Sequence, residues 1–215
     1  MRQLRVCLYD AGAGDRVGSV DGDRVYDLHR CCVGQMARGR SSAEARQLAA
    51  TLVPDDLGQF ISGGDTVLSA AREAVDWAEE QGDEGLFLAT SGVRLKAPIL
   101  PSTKVACMGG VFPTHLQIAG VEPHVFPIPF YKMSQVVVGP DEWVIIPKHH
   151  QEPVVGGTEL TVVIGKAGRS IPVDVVEEHI WGYTVFNDVT LRGEPNPIHE
   201  VFETSAPTGP WLVPK

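Results

Sequence analysis

Apolar and polar positions along the first thirty residues alternate in short bursts separated by turn residues. Leu4 to Tyr9 reads as a strand, Asp10 to Asp15 as a glycine-rich turn, and Arg16 to Val20 as a second strand. Asp21-Gly22-Asp23 is a hairpin signal, after which Val25 to Leu28 closes a small meander. The period then lengthens. Ser41-Ser42-Ala43-Glu44 has the form of a capping box and predicts a helix to about Thr51, ended by Pro54. A longer helix is expected behind Asp65 as cap. In it Val67, Leu68, Ala71, Val75 and Ala78 recur on one face, and Gly82 lies beyond its end.

From about Leu95 strands and proline-rich loops take over. Strands are predicted at 93–95, 104–108, 135–138, 143–146, 160–164 and 183–186, interrupted by a helix from Asp174 to Trp181. That helix has Asp174 and Glu177 as a cap pair and Gly182 as its stop. The change of pattern predicts a domain boundary near residue 97. The expected fold is α+β, mainly β, with a small N-terminal α/β cap domain over 1–97 and a β-rich core over 98–215.

Composition narrows the function classes. A net charge of −9, from 18 basic and 27 acidic residues, argues against nucleic acid or an anionic membrane as partner. No apolar run approaches the roughly 20 residues that span a bilayer, and the N-terminus lacks a signal-peptide core. Cys7, Cys31, Cys32 and Cys107 have no CxxC spacing and read as scattered structural thiols, which points to a cytoplasmic protein.

The chemistry concentrates in Glu159-Leu-Thr-Val-Val-Ile-Gly165 and Gly182-Tyr-Thr-Val-Phe-Asn-Asp188, which place carboxylates on apolar strands. A buried ionised carboxylate neutralises, pairs or coordinates a metal. Side chains alternate faces along a strand, so Gly157, Glu159, Thr161 and Val163 share one side, while Thr184, Phe186 and Asp188 share another. Two such strands side by side would gather Glu159 and Asp188 over one cavity, and an all-oxygen donor set suits Mg²⁺, Ca²⁺ or Mn²⁺. The alternative is an ion pair of Glu159 with Lys166 or Arg192, with Asp188 merely ending its strand. His149, His150 and Glu152 form a polar loop that either is solvated or folds back to donate a ligand.

Taken with Ala206-Pro-Thr-Gly-Pro-Trp211, Ala97-Pro-Ile-Leu-Pro-Ser-Thr-Lys104, Phe130-Tyr-Lys132 and the stretch from Arg16-Val-Gly18 to Asp27-Leu28, these segments resemble the fumarylacetoacetate hydrolase family over nearly the whole chain. The resemblance implies a mixed β-roll core that binds Mg²⁺ or Mn²⁺ and chelates a small dioxo- or oxo-acid substrate through the ion. It also implies C–C hydrolysis, decarboxylation or tautomerisation by way of an enolate. Residue by residue, Glu159 and Asp188 match metal ligands, and His115 matches the histidine of a His-x-x-Glu dyad. Lys132 matches a basic residue beside the substrate, with catalytic and substrate-binding roles; Arg192 and Phe130 match substrate-binding positions.

Four departures fall in functional places. Gly157 stands where the first metal glutamate belongs, Ile118 where the dyad glutamate belongs, and Glu200 where a lysine belongs. The roll is also incomplete relative to the family, whose members continue beyond Trp211 with further strands. A homodimer or a sister subunit is the expected cover for the strand edges so exposed. The departures sustain a second reading, a non-hydrolytic member: a pseudoenzyme, a binding subunit, or a repurposed enzyme of specialised metabolism taking an apolar polyketone.

Overall fold

The computed structural model describes residues 2–12, 14–99, 104–120, 122, 128–195 and 199–215. Three strands open the chain, β1 (Val6–Asp10), β2 (Asp15–Asp21) and β3 (Arg24–Asp27). Four helices follow: α1 (Leu28–Met36), α2 (Ser42–Leu52), α3 (Leu57–Ser62) and α4 (Gly64–Gln81). Short strands β4 (Phe87–Ala89) and β5 (Arg94–Lys96) complete an antiparallel sheet of order β4-β3-β2-β1-β5. Next come β6 (Val105–Gly109), α5 (Pro113–Ala119), β7 (Ile128–Lys132) and β8 (Val137–Val138). The chain then runs through β9 (Val154–Val155), β10 (Thr158–Ile164), β11 (Ile180–Asn187), β12 (Thr190–Leu191), β13 (Ala206–Pro207) and β14 (Val213–Pro214).

The strands of the meander form where alternation predicts them, because both faces of the first sheet are covered. Leu4, Val6, Val17 and Tyr26 pack on the helices, while Cys7, Tyr9, Val20 and Val25 form a second cluster with Leu95 and Trp211. The capping box is present: Ser41 and Glu44 each bond the other's backbone N–H. The stripe of α4 is buried from Val67 to Ala78, and Gly82 ends it with φ 64°, a left-handed conformation that glycine adopts without a Cβ clash.

Several expectations are corrected. Helix and strand occur in about equal measure, so the chain is mixed α/β rather than mainly β. The helical share includes α1, capped by the Asp27 carboxylate, which takes Leu28, read as the close of the meander, and runs on through residues for which no element was predicted. Asp65 lies in the first turn of α4 and is not its cap. Residues 143–146 form no strand. The segment from Val173 to His179 is a 3-10 helix, and Trp181 and Gly182 already belong to β11. Trp181 faces the N-terminal core, where its ring meets Phe60 edge-on at 6.4 Å between centroids, and burial of that ring holds 180–182 extended.

Beyond residue 104 the strands form small sheets. β10-β11-β14 is the largest, with pairs β6-β7 and β9-β12 antiparallel and β8-β13 parallel. β10 is an edge strand. Its outward side chains Leu160, Val162 and Ile164, with Val185 of β11, are exposed. Leu212 exchanges two backbone hydrogen bonds with Val6, at 2.7 and 2.8 Å, and joins the N-terminal core. No helix is long and apolar enough to cross a membrane among the described residues.

Candidate functional site

The register of β10 on β11 builds the site. Glu159 pairs with Phe186, and Gly157, just before β10, exchanges two backbone hydrogen bonds with Asp188, at 3.0 and 2.7 Å. β-branched residues fill β10 and favour the extended backbone this register needs. A Cβ placed on Gly157 would lie 3.4 Å from Glu159 Oε1 and 3.7 Å from Asp188 Cβ. The three positions therefore surround one small space, as face alternation predicts for Glu159 and Asp188.

Lys132, at the end of β7, supplies the positive charge. Its side chain is closed to solvent, and Nζ lies 2.8 Å from Asp188 Oδ1. Nζ also donates to the carbonyls of Glu200 (2.5 Å), Val189 (3.2 Å) and Ser205 (3.2 Å), and reaches Ser205 Oγ at 3.4 Å. Three N–H donors thus face five oxygens of the protein itself. Asp188 Oδ1 is sealed from water, whereas the side chain as a whole keeps 16% exposure, so the rest of the carboxylate looks outward. The ammonium fixes Asp188 in place and offsets the cost of burying its charge.

Glu200 is the site residue whose position sequence reasoning missed; only its mismatch with the family lysine marked it. Its Oε2 accepts from Thr190 Oγ1 at 3.2 Å, and its Oε1 lies 3.2 Å from His199 Nε2. Burial first, and then the nearby Asp188 charge, push the Glu200 carboxyl above the usual glutamate range. Cys107 of β6 feels the same surroundings: burial chiefly, then Asp188, push its thiol up to about 11. It lies in the core under the site with Val136, Phe186 and Ala206.

The other expected residues are placed as follows. Phe130, half-buried, lies on β7 on the same face as Lys132. The Arg192 side chain is exposed, and its backbone N–H bonds Pro153 O at 3.1 Å. His115 and Ile118 fall on α5, but their side chains lie outside the described residues, as does the 100–103 part of the Ala97–Lys104 motif. His150 is buried and meets Glu194 Oε1 through Nδ1 at 3.1 Å, with His149 Nε2 3.6 Å from the same oxygen. The polar loop is thus tied to the segment after β12.

Among the described residues no group of three His, Cys, Asp or Glu side chains is arranged to hold a metal ion. The donor set at Gly157 is smaller and still suits a hard cation. Two carboxylates border one space, and Mg²⁺ is normally held by one or two carboxylates while it keeps several waters. Charge agrees with this. Glu159, Asp188 and Glu200 outnumber the ammonium of Lys132, and the Asp188 charge adds to burial in raising the Glu200 carboxyl.

Known proteins share this architecture. The chain is 31% identical over 209 residues to oxaloacetate tautomerase YisK of Bacillus subtilis (strain 168), covering 91% of this chain and 64% of that protein. It is 34% identical over 170 residues to the mitochondrial oxaloacetate tautomerase FAHD2A of Homo sapiens, covering 76% of this chain and 52% of that protein. This chain therefore spans about half to two thirds of the length of these relatives. Among solved structures, maleylpyruvate hydrolase from Sphingobium sp. SYK-6, in complex with manganese(II) ion and pyruvate, superposes with a TM-score of 0.68. The identity there is 22%, over 98% of this chain and 67% of that one. The sequence profile of the fumarylacetoacetate (FAA) hydrolase C-terminal family matches residues 104–215, which include β10, β11, Lys132 and both carboxylates. The chain belongs to the fumarylacetoacetate hydrolase family.

Proposed function

We propose that this chain binds a small oxo-acid at the Glu159–Asp188 pair and interconverts its keto and enol forms. The observation that carries the reading is the meeting of Glu159, Asp188 and the open Gly157 position over one space, with Glu200 close enough to feel the Asp188 charge. Support comes from relatives named as oxaloacetate tautomerases. The departures favour tautomerisation over C–C hydrolysis, which in this family calls on a His-x-x-Glu dyad, because Ile118 leaves His115 without that dyad's glutamate. Tautomerisation needs less: one proton leaves the carbon next to the oxo group, and one arrives at the oxo oxygen.

Glu159 and Asp188 would hold a divalent ion, which when bound supplies Lewis-acid polarisation of the oxo oxygen and stabilises negative charge there. Lys132 acts as a positioning residue that keeps Asp188 turned outward. Glu200 is the residue we assign to proton transfer. Its carboxyl is steadied by Thr190 and His199, and burial brings its acidity nearer neutrality, which suits general acid–base work. Phe130 and Arg192 are retained as substrate-binding candidates.

Following the enol absorbance of oxaloacetate with Mg²⁺ or Mn²⁺ present tests this. The wild-type chain is expected to accelerate equilibration over buffer, and Glu200→Gln to lose roughly 10²-fold or more of the rate. Equilibration no faster than buffer with metal present would refute the activity. The departures at Gly157, Ile118 and Glu200 favour a second reading, a binding member of the family, and oxo-acid binding without turnover would be its signature.

A further inference from the structure

Glu200 comes to the site from a loop, yet its carboxylate is held at both oxygens. Thr190 Oγ1, from β12, donates to Oε2 at 3.2 Å, and the adjacent residue, His199, brings Nε2 to 3.2 Å from Oε1. Successive side chains on an extended strand point to opposite sides; the turn at 199–200 lets this pair meet. The turn is itself pinned. His199 O accepts from Leu191 N at 2.8 Å, and Glu200 O accepts from Lys132 Nζ at 2.5 Å and from Ser205 Oγ at 3.1 Å. An ionised carboxylate oxygen only accepts, so the Nε2 contact is a hydrogen bond when the imidazole proton sits on Nε2. Nδ1 is sealed from water and has no partner among the described residues. A proton there would find no acceptor, and burying an unmatched N–H is unfavourable. Both nitrogens therefore select the same tautomer.

Resting on the tautomerase reading above, we infer that His199 is a positioning residue for Glu200: its Nε2–H fixes the carboxylate plane and takes no part in carrying the proton. A glutamate side chain is flexible, and a single donor leaves its carboxylate free to swing about that contact. Two donors from different elements, one at each oxygen, set the plane, and each oxygen keeps a lone pair for the substrate. The geometry excludes a relay. An imidazole that passes a proton takes it at one nitrogen and releases it at the other, and Nδ1 has nowhere to release it among the described residues. The carboxylate thus meets the carbon next to the oxo group in one orientation, which contributes to rate rather than to affinity. The pair is separate from His115, which lies on α5.

Steady-state tautomerisation of oxaloacetate with Mg²⁺ by the 215-residue chain, compared among His199→Ala, His199→Asn and His199→Gln, tests this. The Gln amide nitrogen falls where Nε2 lies and can donate, whereas the Asn amide nitrogen falls where Nδ1 lies; neither amide titrates. His199→Ala and His199→Asn are expected to lose about tenfold or more in kcat with KM little changed, and His199→Gln to regain most of it. Long-range ¹H–¹⁵N NMR of the wild type is expected to show the His199 proton on Nε2. Wild-type kcat in His199→Ala, or His199→Gln as slow as His199→Ala, would overturn the inference, while wild-type turnover leaves the tautomerase reading standing. A rise in KM at unchanged kcat would overturn it too, as would a proton on Nδ1. No wild-type turnover would overturn that reading and the inference with it. The NMR measurement needs no variant, so it decides even where a substitution prevents folding.

Discussion

Replacing Lys132 by Met keeps the volume and the apolar stem and removes one buried charge. Asp188 Oδ1, sealed from water, would lose its ammonium, and the carbonyls of Val189, Glu200 and Ser205 would lose a common donor. Breaking a buried ion pair by deleting one partner costs about 3–5 kcal/mol. For a chain of 150–250 residues each kcal/mol moves Tm by about 2–4 °C, so Lys132→Met is expected to melt about 6–20 °C lower. Circular dichroism melts and urea titrations give the value. The Lys132→Met/Asp188→Asn double variant separates the pair from the packing. With no buried charge left it is expected to recover part of the loss, with a coupling of about 0.5–3 kcal/mol. A Lys132→Met loss below about 1 kcal/mol, under the usual cost of an unpaired buried group, would refute the argument that this ammonium organises the site. So would strict additivity of the two substitutions.

Two further outcomes test the fold that carries the site. Asp27 is 3% exposed and is met by Arg16, the Tyr9 hydroxyl at 2.7 Å and Arg30 N at 2.9 Å. Burial alone would raise its carboxyl, but the Arg16, Arg30 and Tyr9 contacts prevail and hold it below the usual aspartate range. A depressed folded value stabilises above the unfolded aspartate range near about 4. That contribution is lost as pH falls through the folded value, so Asp27→Asn should flatten the acid limb of Tm against pH; an unchanged limb would contradict this. At Gly182 an added Cβ would collide with Val213 O and lie 2.9 Å from Pro214 Cα, so Gly182→Ala should loosen β14 and cost about 1–3 kcal/mol in urea unfolding. Wild-type stability with unaltered proteolysis at 212–215 would count against that packing.

The sequence by itself determined what depends on near neighbours. Alternation set the meander, the Ser41–Glu44 box started α2, the Val67–Ala78 stripe set α4, and alternation put Gly157 and Glu159 on one side of their strand. These signals are local, because each is a hydrogen bond or a shared face within a few residues. Only the tertiary structure decided which way charges point and what covers what. It turned Lys132 inward onto Asp188 and brought Glu200 back to the site from a loop. It tied His150 to Glu194, and it carried Trp181 and Leu212 into the N-terminal core, so that a helix expected to reach Trp181 ends at His179. Those outcomes rest on distant partners, 44 residues apart for His150 and Glu194, 68 for Lys132 and Glu200, and farther still for Trp181 with Phe60 and Leu212 with Val6. A buried charge goes where its counter-charge and acceptors converge, and that convergence exists only once the strands have packed.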